Sequence, residues 1–436
     1  MSVRSLPKPQ GLEKPASKLA STKAWWTKLG PGLVTGASDD DPSGIATYSQ
    51  VGAQFGYGLL WTTWFSYPFM AAIQEISARI GRVTGAGLAA NLKAHYPRSL
   101  LHSVLGLMVM ANVLNLGADI GAMAAAVQLI LPGAAWIYVL LFGLTSLVLQ
   151  IFVPYTRYVQ YLKWLTLSLF AYVAAVFFVH LSWRQALHET FVPSIVWSRE
   201  YFVSLIAVLG TTISPYLFFW QASQEVEEVG CNDDQNPLKI SPREAPAQLE
   251  RIRWDTYLGM AFSNLVAFFI ILTAAATLHA RGITEAATAA QAAQALSPLG
   301  GRWAVGLFVC GIVGTGMLAI PVLAGSAAFA MGESFHWRAS LEDKPAQAPR
   351  FYLAIVTASV VGILLNFLHF DPIRALFWSA VVNGALAAPV MAIVVHMAAS
   401  KKVMGRFVIP IHLKVMGWAG TLVMFIACLG VFVTLK

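Results

Sequence analysis

Eleven long apolar runs constrain this chain more than any other feature. A helix needs about 20 mainly apolar residues to cross the hydrocarbon layer. Such runs lie near 28–53, 56–80, 101–131, 134–154, 160–181, 201–229, 253–280, 302–332, 350–369, 373–399 and 412–434. Lipid offers no partner for backbone N–H and C=O groups, so a spanning segment of this kind must be helical. Composition agrees: 57% of residues are hydrophobic and 11% charged, where a soluble domain carries roughly 25% charged residues. The expectation is an all-α polytopic membrane protein of about eleven transmembrane helices, with the lipid bilayer as its principal partner.

The formal net charge of +8 does not point to nucleic acid, because the basic residues are sorted by side. With the N-terminus in the cytoplasm, 23 Lys and Arg residues fall on the inner side. Six fall outside: Arg184, Arg199, Arg281, Arg302, Arg374 and Lys436. The positive-inside rule then predicts a cytoplasmic N-terminus and an external C-terminus in a plasma or inner membrane. Residues 1–24 are polar, with Pro7, Pro9 and Pro15, and read as a disordered cytoplasmic tail rather than a signal peptide. Cys231, Cys310 and Cys428 show no paired spacing and predict neither a disulfide framework nor a zinc site.

Two spans are interrupted. The first contains Ser38-Asp39-Asp40-Asp41-Pro42-Ser43-Gly44, and the sixth contains Gly210-Thr211-Thr212-Ile213-Ser214-Pro215-Tyr216. Proline removes a backbone donor and clashes with the preceding turn. Unbonded backbone at membrane depth is tolerated only where it lines a cavity or is buried in protein. Breaks five spans apart imply two halves of opposite orientation, a 5+5 inverted repeat with the substrate at the broken pair. The expected units are 25–181, 201–399 and an eleventh helix at 412–434. The competing reading is two ordinary proline kinks.

Charged residues near the bilayer centre are costly and usually functional. Here they are Asp39, Asp40 and Asp41 in the first span and Asp119 in the third. Successive helix positions are about 100° apart, so three consecutive aspartates cannot face one ion. Asp41 immediately precedes the break and is expected to be the primary ligand. Asp39 and Asp40 either line the approach or hydrogen-bond to neighbouring helices. A carboxylate with freed carbonyls near Thr211 makes a hard oxygen site suited to Mg²⁺, Ca²⁺ or Mn²⁺. The cluster Glu225-Val226-Glu227-Glu228 either focuses cations in a vestibule or is a solvated helix end. Only His396 lies well within a span among the nine histidines, and it reads as a packing or interfacial residue.

Gly30-Pro31-Gly32-Leu33 through Asp41-Pro42, then Gly52-Ala53-Gln54-Phe55-Gly56-Tyr57 and Ser77-Ala78-Arg79-Ile80-Gly81-Arg82-Val83-Thr84-Gly85, resemble the first two helices of the Nramp family of divalent-metal transporters. The resemblance extends thinly over the whole chain. It implies the LeuT/APC-type inverted-repeat fold, alternating access, and a metal held between helices one and six. Where the family has Asp-Pro-Gly-Asn, this chain has Asp41-Pro42-Ser43-Gly44. The ligand Asp is kept, and Gly44 replaces the ligand Asn. Where the family has Met-Pro-His, it has Ser214-Pro215-Tyr216. Asp119 matches a family acidic residue, with Ala122 in place of the Glu that follows. Asn383 falls in the polar region of helix ten. Loss of the thioether removes selection for soft metals, and Gly44 enlarges the pocket. Both resemble the divergent Nramp-related magnesium transporters.

The expectation is therefore a transporter of Mg²⁺, and of Mn²⁺, as a partly hydrated ion with weak or no proton coupling. Its site residues are Asp41, Gly44, Thr211, Ser214, Tyr216 and Asn383, with Asp39, Asp40, Asp119 and Glu225 on an ion or proton path. The metal is cargo; no cofactor is expected, and a monomer is. The alternatives are a proton-coupled Mn²⁺/Fe²⁺ importer and an amino-acid or organic-solute transporter of the same fold, whose substrate carboxylate three aspartates would repel. A metal sensor lacks a sizeable soluble domain. An enzyme lacks any catalytic motif.

Overall fold

The computed structural model of the chain describes residues 31–153, 167–179, 181–231, 235–368 and 371–434. The expected tail at 1–24, the start of the first span, residues 160–166 of the fifth span, and Arg157, Lys163 and Lys436 lie outside the described residues.

The described residues form helices throughout: α1 (Pro31–Asp39), α2 (Pro42–Phe55), α3 (Trp61–Thr84), α4 (Leu88–His95), α5 (Arg98–Val127) and α6 (Ala135–Phe152). Then follow α7 (Phe170–Val176), α8 (Trp183–Phe191), α9 (Arg199–Thr212), α10 (Pro215–Cys231), α11 (Ala245–Thr277) and α12 (Ala289–Ala293). The last are α13 (Gly301–Phe335), α14 (Pro349–Leu365), α15 (Pro372–Ala399), α16 (Lys401–Met404) and α17 (Ile411–Val433). Among the described residues eight spans are long and apolar enough to cross a membrane, seven of them single helices and the eighth the α9–α10 run broken before Pro215. Three expected spans account for the rest. One is split into α1 and α2. One is α3, whose 24 residues reach about 36 Å but carry Gln74, Glu75, Arg79 and Arg82. The fifth is only partly described, as the short apolar helix around α7.

Both breaks fall where the prolines place them. Asp41 is the N-cap of α2, its side chain accepting from the Gly44 amide, and Pro42 occupies the first helical turn. An aspartate cap followed by proline is a favourable helix start. The same pair, Asp371-Pro372, opens α15. Pro215 opens α10 three residues after α9 ends at Thr212.

The packing is symmetrical about the breaks. α1 packs on α11, as α10 packs on α3; α3 meets α11 and α5 meets α13. Small residues permit close approach, as is usual in membrane bundles. A side chain at Gly36 would collide with the Gly259 backbone, and one at Gly210 with Ala380 and Gly384. The first contact fixes α1 against α11, the second α9 against α15.

Candidate functional site

Asp41 stands at the junction of the two broken helices and is 1% exposed. Its Oδ1 accepts from Ser43 Oγ at 2.5 Å and from the Gly44 amide at 2.9 Å. Its Oδ2 accepts from Asn115 Nδ2 at 2.9 Å and from the Tyr216 hydroxyl at 3.4 Å. Asn115 is itself oriented by Ser379 Oγ, which donates to its Oδ1 at 2.6 Å. A carboxylate has about four lone-pair sites, and here all four are used. A cation reaching Asp41 therefore displaces a donor, and the 3.4 Å contact from Tyr216 is the weakest to give up.

Thr211, in the last turn of α9, faces the α2 cap from the other broken helix. Its Oγ1 lies 3.4 Å from Ser43 Oγ. Its carbonyl would bond the amide four residues on, but Pro215 has no N–H. Ser214 answers part of that loss: its hydroxyl turns back to Gly210 O at 2.8 Å and Thr211 O at 3.1 Å. Ser214 thus caps the broken helix rather than presenting its proton to the pocket, and Thr211 keeps a second lone pair. The space at Gly44 is smaller than its replacement of Asn implies. A Cβ there would meet Thr211 Oγ1 and Tyr48 Cε2, both at 3.3 Å, so these two side chains occupy much of the vacated room. Asn383 is buried on α15, one turn beyond Ser379.

The remaining acidic residues separate into three places. Asp39 and Asp40, 1% and 2% exposed, share one hydroxyl on α11: Ser263 Oγ lies 2.5 Å from Asp39 Oδ2 and 3.1 Å from Asp40 Oδ1. The other oxygen of each has no partner. Asp119 is fully buried one helical turn beyond Asn115, and neither of its oxygens is bonded. Glu225 lies ten residues along α10 from Pro215, about 15 Å away. It pairs with Arg251 at 2.5 Å, and Glu228 reaches the same guanidinium at 3.2 Å. Glu227 accepts from Ser340 Oγ and the Leu341 amide, both at 2.6 Å. This acidic run therefore ties α10 to α11 and to the segment after α13. His396 bonds Tyr96 at 2.7 Å, near the end of α15 and away from the site.

The two ends of the bundle differ. At the α1/α10 end, Thr35 donates to Gln221, the Gly32 amide donates to Asp255 Oδ2 at 2.7 Å, and Arg251 joins the α10 carboxylates. At the α2/α9 end a cavity of about 360 Å³ is lined by Gln50, Gln54, Glu285, Arg374, Trp378 and the buried Ala46. Ala46 lies one turn past Pro42, so the cavity descends toward the break. On one side of Asp41 these bonds close the bundle; on the other the cavity reaches Ala46, while Asp41 stays 1% exposed and Gln50 accepts from the Ala286 amide at 2.7 Å across that end.

Sequence reading missed Asn115, Ser379 and Ser263, which hold the aspartates. It also missed Met123, whose sulfur borders the same niche at Gly316 as Pro42. The one available signal was helical spacing: Asn115, Asp119 and Met123 recur every four residues on one face of α5. Among the described residues no three His, Cys, Asp or Glu side chains converge as a metal-binding group.

The family model described as natural resistance-associated macrophage protein-like (Nramp) matches residues 32–434. A manganese transporter from Eremococcus coleocola, solved with an aromatic bis-isothiourea compound, superposes with a TM-score of 0.76 at 17% identity, covering 95% of this chain and 88% of that one. MhsT in complex with L-phenylalanine gives a TM-score of 0.63 at 13% identity, covering 98% and 100%. The nucleobase-cation-symport-1 transporter Mhp1, closed on bromovinylhydantoin, gives 0.57 at 13%, covering 93% and 92%. The architecture is the LeuT-type inverted repeat with helices one and six broken, and the chain belongs to the Nramp family of multi-pass membrane transporters.

Proposed function

We propose that this protein carries a divalent cation across the bilayer, Mg²⁺ and also Mn²⁺, as a partly hydrated ion with weak or no proton coupling. The observation that carries this reading is the donor set at Asp41: one carboxylate amid Asn115, Tyr216, Ser43 and Thr211, all neutral oxygen or amide groups. Mg²⁺ sheds water reluctantly and favours one or two carboxylates with several retained waters. A single carboxylate whose weakest contact, Tyr216, can be exchanged for a hydrated ion fits that preference. In this reading Asp41 ligates directly and the freed Thr211 carbonyl contributes a second oxygen. Gly44, Ser214, Tyr216 and Asn383 bound the hydration shell. The ion enters from the α2/α9 end, which the charge distribution assigns to the outside. It leaves past Asp39, Asp40 and Glu225 once the α1/α10 end opens. The working unit is a monomer of two five-helix repeats, 25–181 and 201–399, in a plasma or inner membrane.

A proton-coupled Mn²⁺/Fe²⁺ importer is favoured by one observation, the unbonded carboxylate of Asp119 one turn from Asn115, which is placed to take up a proton. The manganese transport named for the Eremococcus protein adds to it. Flux in proteoliposomes with an internal pH dye separates the two. Mg²⁺ and Mn²⁺ uptake with a flat pH trace supports the first reading. Fe²⁺ or Mn²⁺ uptake without Mg²⁺, with acidification tracking the metal, replaces it with the second.

A further inference from the structure

We propose that the turn between α15 and α17 binds an anionic phospholipid of the inner leaflet, such as phosphatidylglycerol. Its headgroup meets Lys401, Lys402, Arg406 and Lys414, and an acyl chain lies along α17. α15 starts at the α2/α9 end, where Arg374 lines the cavity. The turn after it therefore lies at the α1/α10 end, which the charge distribution places inside.

The turn gathers positive charge without a counter-ion. All four basic residues are exposed, and among the described residues none of them forms an ion pair. No Asp or Glu follows Asp371 in the chain. Asp371 caps the far end of α15, whose 28 residues span about 42 Å. The backbone keeps the group together. The Ile409 amide donates to the Ala398 carbonyl at 3.3 Å and closes the hairpin, and the Gly405 amide donates to the Lys401 carbonyl at 2.9 Å. Val403 and Met404 of α16 are buried, which leaves Lys401 and Lys402 outward. Lys239 adds a fifth charge from the segment before α11: its Cε lies 4.0 Å from where a Cβ on Gly405 would stand.

Beneath the charges runs an apolar stripe. Ile411, Lys414, Val415 and Trp418 share one face of α17 by helical spacing, and all are exposed. Leu422, Phe425 and Leu429 continue that face and are exposed too. Leu413, Gly417 and Gly420, on the other face, are buried in the bundle. A tryptophan at headgroup depth with a lysine reaching past it suits the membrane interface. The positive-inside rule accounts for basic residues at this end. It requires neither that they lack counter-ions nor that they crown a continuous lipid-facing stripe. A charged head joined to an apolar tail answers both features. A free phosphate or a nucleic acid answers only the charge.

The test is native mass spectrometry of the purified full chain in neutral detergent, after incubation with equal amounts of phosphatidylglycerol and phosphatidylcholine. Preferential retention of phosphatidylglycerol is expected. One Lys or Arg near an anionic lipid surface is worth about a fivefold change in affinity, so Lys401→Gln/Lys402→Gln lowers the preference at least about fivefold. Adding Arg406→Gln and Lys414→Gln abolishes it. Arg281→Gln/Arg302→Gln removes two basic residues from the opposite end and leaves the preference unchanged. Phosphatidylglycerol also raises the melting temperature of the parent chain and not that of the quadruple variant. Melts without lipid establish that each variant is folded, and the lysine pair decides if the quadruple variant is not. Equal retention of the two lipids, a preference that survives the Lys401 and Lys402 substitutions, or an equal fall in the Arg281/Arg302 variant overturns the proposal. So does release of the lipid by inorganic phosphate at an ionic strength where chloride leaves it bound, because phosphate alone then suffices.

Discussion

Asn115 donates its amide to Asp41 across 2.9 Å, joining the centre of α5 to the break between α1 and α2. The bond fixes the carboxylate that caps α2, so fold and site share one side chain. Asp41→Asn keeps a good N-cap and removes the charge. It is expected to leave the melting temperature near that of the parent and to reduce divalent flux at least about tenfold, the equivalent of 1.4 kcal/mol. Asp41→Ala loses the cap as well, at about 1 kcal/mol. Thermal melts read beside liposome flux separate the two effects. Full flux in a well-folded Asp41→Asn protein would remove Asp41 from the pathway.

The paired carboxylates of Asp39 and Asp40 on one Ser263 hydroxyl make a second prediction. An unsatisfied buried acceptor costs about 1–3 kcal/mol, and two unbonded oxygens remain here. Asp40→Asn removes one of two adjacent charges and is expected to hold or raise the melting temperature in chelator, while slowing transport. Ser263→Ala removes the shared donor and lowers it. If these residues only brace α1 against α11, both substitutions leave flux intact, and flux kinetics decide.

Much of this arrangement was legible in the chain. Asp41-Pro42 and Ser214-Pro215 announce both breaks, because a missing amide and a cap act locally. Spans built from uninterrupted apolar residues were legible for the same reason. What a residue meets across the bundle was not. Asn115, Ser263, Asp255 and Gln221 are isolated polar residues whose partners lie 74 to 224 positions away. Which helix faces which decides their role. Hydropathy also cannot see a helix where it leaves the lipid. The seventh span was expected from 253, yet α11 begins at Ala245. Its first turns carry Gln248, Glu250 and Arg251, and Arg251 is the residue that holds Glu225 and Glu228.

That ion pair yields a third prediction. Breaking a buried pair by removing one partner costs about 3–5 kcal/mol, since a charge is left uncompensated. Arg251→Gln strands Glu225, which is fully buried, and is expected to loosen the α1/α10 end. Cysteines introduced on α10 should then label faster from that side. The double variant Arg251→Gln/Glu225→Gln restores slow labelling. Equal labelling in all three proteins would mean that other contacts seal this end.

Met123 tests whether sulfur has left the site. Its thioether borders Gly316 and Pro42, but it makes no bond to Asp41. Leu conserves volume and costs under about 1.5 kcal/mol in most cores. Met123→Leu is therefore expected to leave the ratio of Mg²⁺ to Mn²⁺ flux unchanged. A rise in that ratio, measured in competition with Fe²⁺, would show that the sulfur ligates and that the all-oxygen description is wrong.

Gly44 gives the most direct measure of how much water the ion keeps. A methyl group there would meet Thr211 Oγ1 and Tyr48 at 3.3 Å, contacts that neighbours relieve by moving a few tenths of an ångström. Gly44→Ala is therefore tolerated and intrudes on the space beside Asp41. An ion that enters with its hydration shell loses room, while one that sheds water does not. Mg²⁺ dehydrates more reluctantly than most divalent ions, so Mg²⁺ flux falls several-fold while Mn²⁺ flux changes less. Gly44→Asn enlarges the difference, because its amide also competes for Thr211. Equal losses for both ions would indicate a bare ion at the break, with Gly44 serving only the packing of α2 against α9.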